Sequence, residues 1–161
     1  MFNSIALSKK MKTKGSMCKA FIFNTLLLTT LLFTSLQVTA DQFKQFANLE
    51  VHYIALPSTF IEPSIATQYN IKRSKNNGLL NISILNSKQN KQSVEAILTG
   101  TGKNLIGQTH QLEFRQIKEG KAIYYLAEYP FINEEIVNFD INVKTEKKSN
   151  TLKFQHKFYV D

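Results

Sequence analysis

Residues 136–160 carry two runs of strict alternation. Val137, Phe139, Ile141 and Val143 alternate with Asn138, Asp140 and Asn142. Leu152, Phe154, His156, Phe158 and Val160 alternate with Lys153, Gln155, Lys157 and Tyr159. A period of two puts apolar side chains on one face of a strand and polar ones on the other. Neither run suits a helix, and neither suits a strand buried on both faces. The polar turn Glu146 to Asn150 separates them, which predicts an antiparallel pair.

The same pattern recurs upstream. Strands are predicted over Leu49–Ala55, Leu79–Leu85, Val94–Leu98, Thr109–Ile117 and Ala122–Tyr129, making about seven in all. Asn76-Asn77-Gly78, Asn104 to Gly107 and Glu119-Gly120 are turn signals. Gly100 and Gly102 point to a bulge or a close backbone approach. Asp41 to Asn48 reads as a polar lead-in that tucks Phe43 or Phe46. One short helix is expected near residues 63–70, where Pro63 suits a first turn and Ile65 and Tyr69 share a face. Short alternating strands with regular turns predict an all-β, antiparallel, immunoglobulin-like sandwich.

Residues 1–40 have a different character. Five lysines, Lys9 to Lys19, precede the apolar run Phe21–Leu36, and Val38-Thr39-Ala40 follows it. That order is a secretory signal peptide, with cleavage expected between Ala40 and Asp41. The expected location is the periplasm, with no membrane span left after cleavage. Left uncleaved, the 21 uncharged residues Ala20–Ala40 are long enough, at about 1.5 Å each, to anchor the chain in the inner membrane. Met1, Met11 and Met17 all fit as start sites.

Removal of residues 1–40 changes the chemistry. The only cysteine, Cys18, goes with them, so residues 41–161 offer no disulfide and no thiol nucleophile. Five of the 20 basic residues go too, leaving 15 against 12 acidic, a net +3. That is too mild to argue for nucleic acid. The remaining 121 residues fit one domain with a single core.

Several phrases together resemble DUF4426, a family of small exported proteins of Gram-negative bacteria: Arg73-Ser74-Lys75-Asn76, Gly78 to Ser83, Asn104-Leu105-Ile106-Gly107-Gln108, Leu112 to Arg115, Ala122 to Tyr125, and Phe158-Tyr159-Val160. The resemblance runs from about Val51 to Asp161. It implies a single exported domain and carries over no site residue.

Catalytic constellations are missing from the pattern. His52, His110 and His156 fall on three different strands, far from the spacing of a zinc site. No Gly-x-Ser-x-Gly elbow occurs. Glu134-Glu135 reads as a solvated turn, and Gly100-Thr101-Gly102-Lys103 lacks the full phosphate-loop spacing. No metal or cofactor is expected.

Polar loops are the better candidates. Arg73, Ser74 and Asn76 suit a carboxylate or a sugar, or serve as a solvated turn. Asn104 and Gln108 flank Leu105-Ile106, a tip that suits a partner or a lipid surface if exposed. The favoured expectation is that it folds down to plug the end of the sandwich. Tyr124 and Tyr125 point to opposite faces, one to the core and one to an aromatic platform or a cross-strand contact. The leading expectation is a non-enzymatic module that binds a protein or an envelope component. The alternative is a small-ligand or carbohydrate module using the loop from Arg73 to Asn77, and an enzyme using His with Glu or Asp comes last.

Overall fold

Two antiparallel sheets face each other in the computed structural model, which describes residues 42–160. The presequence and its expected processing site lie outside the described residues. Ten strands form where about seven are expected: β1 (Phe43–Phe46), β2 (Leu49–Pro57), β3 (Asn77–Asn86), β4 (Gln92–Ser93), β5 (Ile97–Asn104), β6 (Thr109–Leu112), β7 (Arg115–Glu119), β8 (Ala122–Pro130), β9 (Ile136–Lys144) and β10 (Ser149–Lys157). The larger sheet has the order β1-β2-β3-β8-β7, with β4 also on β3. The smaller has the order β10-β9-β5-β6.

The three additional strands have local causes. The polar lead-in pairs along β2, with Phe43 opposite His52 and Phe46 opposite Leu49. The short β4 caps the β3 turn. The expected strand Thr109–Ile117 breaks at Glu113-Phe114, and its halves join different sheets. The expected strand Val94–Leu98 shifts forward and runs through both glycines. A side chain at Gly100 would meet the Asp140 carbonyl at 2.6 Å. One at Gly102 would fall on the Tyr129 ring, 2.9 Å from Phe139. Both glycines mark a close approach rather than a bulge.

The core follows the alternation. Val51, Leu80, Ile82, Ile84, Val137, Phe139, Ile141 and Leu152 meet between the sheets. Burying such side chains contributes roughly 1.5–3 kcal/mol each. Tyr129 packs edge-on against Phe139 and stacks on Phe158 at 6.1 Å.

The larger sheet departs from the one-sided pattern. Leu79 and Leu80 are both buried, as are Leu126 and Ala127. Its outer face is covered in part by the segment between β2 and β3. That segment holds a short 3-10 turn, Ser58–Phe60, and the helix α1, Pro63–Gln68. Pro63 opens α1 at its first position, as expected. Asn70 follows it at φ 50°. A second apolar cluster forms there from Ala66, Ile71, Leu79 and Leu126.

Candidate functional site

The polar loop after α1 is held by its own side chains. Buried Ser58 accepts a hydrogen bond from the Ser74 N–H (3.0 Å), and its hydroxyl lies 2.9 Å from the Lys72 carbonyl, to which it donates. The Asn77 amide donates to the Lys72 carbonyl and to Glu128, both at 2.7 Å. Asn76 donates to the Phe131 carbonyl (3.1 Å), and the Ser74 hydroxyl accepts the Asn76 N–H. Arg73 reaches the Thr59 carbonyl at 2.9 Å.

A staple that the sequence reading missed completes this arrangement. The Arg115 guanidinium donates to the Tyr69 and Asn70 carbonyls (2.8 and 3.2 Å) and lies 3.4 Å from Glu128. It satisfies carbonyls at the end of α1. A cation in the phrase Leu112 to Arg115 is its only sequence signal.

Two concavities border α1. The apolar one, about 290 Å³, is walled by Ile65 and Tyr69 and floored by Leu79, Asn81, Tyr124 and Leu126. The second, shallower one holds Arg73, Thr67 and Asn70 and shares only Ile71 with the first. Arg73 and Tyr124 thus border different concavities on the two sides of α1. Tyr125 goes to the core, where its hydroxyl accepts the Ala96 N–H at 2.8 Å. Tyr124 lies on the outer face opposite Ile117. A larger cleft of about 450 Å³ lies between exposed turns at one end of the sandwich, with Glu95, Glu146, Lys147 and Lys148 among its lining residues. The apolar Ala47, Leu49 and Val94 lie among these charged side chains.

The opposite end holds the turn between β5 and β6. Asn104 locks it: its carbonyl accepts the Gly107 N–H, and its side chain accepts the Gln108 N–H at 2.8 Å. The Asn104 amide also donates to Gln108 and to Glu135, both at 2.8 Å. Gly107, at φ +89°, takes a conformation that other residues adopt with strain. Contrary to expectation, the tip does not fold down. Leu105 is 67% exposed and Ile106 79%. The cause is that Asn104, not an apolar side chain, turns inward and is held there.

Glu135 ties this tip to its neighbours. Its other oxygen accepts the Ile132 N–H at 3.1 Å, and its carbonyl accepts the Phe158 N–H. The Val160 N–H donates to Asn133. Ile132 (66% exposed) and Tyr159 (52%) thus flank the same turn as Leu105 and Ile106. Lys157 pairs with Glu134 at 2.9 Å and lies 4.9 Å over the Tyr159 ring.

The histidines lie apart. His52 is on the outer face of β2, 3.3 Å from Glu50, whose same oxygen meets Lys91. Burial raises the Glu50 carboxyl, but the hydrogen bonds and charges of His52 and Lys91 outweigh it and hold the group below its ordinary value. His110 packs edge-on against Tyr129, and His156 against Phe158. Burial lowers the His156 pKa. Among the described residues no three of His, Cys, Asp and Glu gather as metal ligands. No helix among them is long and apolar enough to cross a membrane.

Fold and surface define a class: an antiparallel two-sheet β-sandwich with one helix-walled apolar groove and one rigid apolar tip. The chain belongs to the family DUF4426, a domain of unknown function, whose model matches residues 43–161. It is similar to a DUF4426 family protein from Pseudomonas aeruginosa PAO1, at 34% identity and a TM-score of 0.67, covering 77% of this chain and 98% of that one. Its fold also resembles FetP of uropathogenic Escherichia coli strain F11, recombinantly expressed in the periplasm, at 12% identity and a TM-score of 0.56. That match covers 76% of this chain and 95% of that one. A copper-bound variant of FetP matches equally well, at 12% identity and 0.56, covering 76% and 97%. At that identity the likeness concerns the fold alone. No curated protein matches the chain.

Proposed function

We propose that this protein is an exported, non-enzymatic interaction module of the cell envelope, and that it meets a protein partner through the end of the sandwich around Leu105 and Ile106. The observation that carries the reading is the locked turn. Two large aliphatic side chains stand in water on a backbone that Asn104, Gly107 and Gln108 hold rigid. Ile132 and Tyr159, tied to the same end of the sandwich through Glu135 and Asn133, are exposed as well. A preformed contact loses little conformational freedom on binding, and contiguous exposed apolar groups mark contact surfaces. The presequence supports export, to the periplasm after cleavage at Ala40/Asp41.

FetP's copper does not transfer to this reading. His52 lies on an outer face beside Glu50, the exposed His110 packs on the edge of Tyr129, and the half-buried His156 packs on Phe158. A copper centre needs such ligands to converge.

The test is photo-crosslinking in intact cells, with a benzophenone amino acid at position 106 or at position 88, in the turn at the other end. The expected result is a discrete crosslinked species from position 106 only, lost when Leu105→Ser is added. Equal crosslinking from both positions, or none from 106, overturns the proposal.

A further inference from the structure

Strand β10 closes one side of the smaller sheet, and no strand lies beyond it among the described residues. The direction of its backbone groups follows from its pairing with β9. The Thr145 N–H donates to the Lys148 carbonyl at 2.8 Å, and the Phe158 N–H to the Glu135 carbonyl at 2.9 Å. Both pairs continue the register that runs from Ser149 opposite Lys144 to Lys157 opposite Ile136. Hydrogen-bonded positions alternate along an antiparallel ladder. The even-numbered residues of β10 therefore turn their N–H and C=O groups to β9. Thr151, Lys153, Gln155 and Lys157 turn theirs outward.

This edge lacks the devices that usually prevent further pairing. It is nine residues long, whereas β1, β6 and β7, the other terminal strands, have four or five. It contains no proline, and its one-to-one register leaves no bulge. Its lysines stand on the outer face and meet carboxylates of the same chain. Lys153 lies 2.7 Å from Asp140, and Lys157 2.9 Å from Glu134. On the inner face Leu152 is fully buried, but Phe154 is only half-buried and stacks on Tyr53 at 4.4 Å.

We infer that β10 pairs antiparallel with β10 of a second copy, joining the two smaller sheets into one. Outward groups must meet outward groups, so few two-fold registers are open. An axis on Lys153 sets the two Lys153 side chains opposite each other, and an axis on Gln155 sets Lys153 against Lys157. Like charges directly opposite are destabilising. An axis on Leu152 meets a side chain with no surface left to bury. An axis on Phe154 avoids all three faults. It places Lys153 opposite Gln155 and Thr151 opposite Lys157. The two half-buried Phe154 rings then meet in the closer, non-hydrogen-bonded kind of pair. Because the lysines are already neutralised, the edge suits a copy of itself rather than an acidic segment. The two Leu105–Ile106 ends point in opposite directions and stay free, so this inference and the tip reading stand or fall separately.

The test is sedimentation of the periplasmic protein over a concentration range reaching submillimolar. Pairing of one edge buries less than a standard interface, so a weak, reversible dimer is expected. Gln155 is exposed and bonds only Asn138, so its substitution spares the core. Gln155→Pro removes an N–H that β9 does not use, and a monomer is expected. Gln155→Glu sets a carboxylate opposite Lys153 and tightens the dimer about fivefold, while Gln155→Lys loosens it by a similar factor. These two keep the test decisive should the proline variant misfold. Three results overturn the inference: a monomer at every concentration, which leaves the edge to a different chain; a dimer that Gln155→Pro leaves intact; or equal dimer affinity in Gln155→Glu and Gln155→Lys.

Discussion

Asn77 and Asn81 lie four residues apart on the same side of β3, and the fold treats them in opposite ways. Asn77 has Lys72 and Glu128 in reach, whereas Asn81 Oδ1 has no donor. Nothing in the local sequence separates the two, because Glu128 comes from 51 residues away. Tyr129 makes the same point in the core. Its ring is fully buried, its hydroxyl has no partner among the described residues, and burial, aided by the Glu135 charge, pushes its pKa up to about 12. Titration separates two further residues by pH. His156 is held neutral by burial, so its folded pKa lies below the ordinary 6.5. As pH falls below about 6.5, the unfolded chain takes up a proton that folded His156 refuses, and stability declines until the folded value is passed. Glu50, held below 4.5, gives stability that is present above that value and lost as pH falls beneath it. Urea unfolding across pH 7 to 3 is expected to show two steps of lost stability. His156→Gln removes the upper step, and Glu50→Gln reduces the lower, which Glu134, held down by Lys157, shares. A profile unchanged by His156→Gln contradicts the first assignment.

Elements were legible where one face met water and the other the core. Strands β9 and β10 follow the alternation of 136–157 residue by residue, and α1 starts at the proline that announced it. Legibility failed where a strand is covered twice. Leu79-Leu80 and Leu126-Ala127 break the alternation because the segment after β2 folds over the outer face. The break itself was the available signal, since doubled apolar residues mark a strand buried on both sides. The tip at Leu105-Ile106 failed for another reason. Hydrophobicity predicted burial, but turn geometry and the Asn104–Glu135 bond decided the direction. The covering segment depends on Arg115 in particular. Arg115→Ala leaves the Tyr69 and Asn70 carbonyls without that donor and Glu128 without its cation. A loss of about 1–3 kcal/mol is expected in chemical unfolding. Amide exchange is expected to accelerate at Ala66, Tyr69 and Ile71 far more than in β9, because the loss is local. Uniform acceleration across both sheets shows instead that Arg115 supports the whole fold.

At the scale of the molecule, the phrases that carry the family resemblance turn out to be mainly architectural. Ser74 and Asn76 tie down the loop after α1, Gly78 lies under the Phe158 ring, Asn104 to Gln108 form the locked turn, and Arg115 staples the helix. Membership of DUF4426 therefore fixes how the domain is built more than what it touches. The exposed Leu105 and Ile106 fall inside one of those same phrases, between Asn104 and Gln108, so the tip belongs to the shared architecture too. Its use depends on where the domain ends up, and that rests on residues 1–40. Cleavage at Ala40/Asp41 removes Cys18, the one thiol in the chain, along with five positive charges. Protein recovered from periplasmic extract is expected to begin at Asp41 and to react with no equivalents of Ellman's reagent when denatured. One equivalent of thiol, together with partition into the membrane fraction, indicates an uncleaved N-terminus instead. An anchored domain explores partners only within reach of the inner membrane, whereas a cleaved one diffuses through the whole compartment. The same measurement thus decides which molecules the Leu105–Ile106 tip is able to meet.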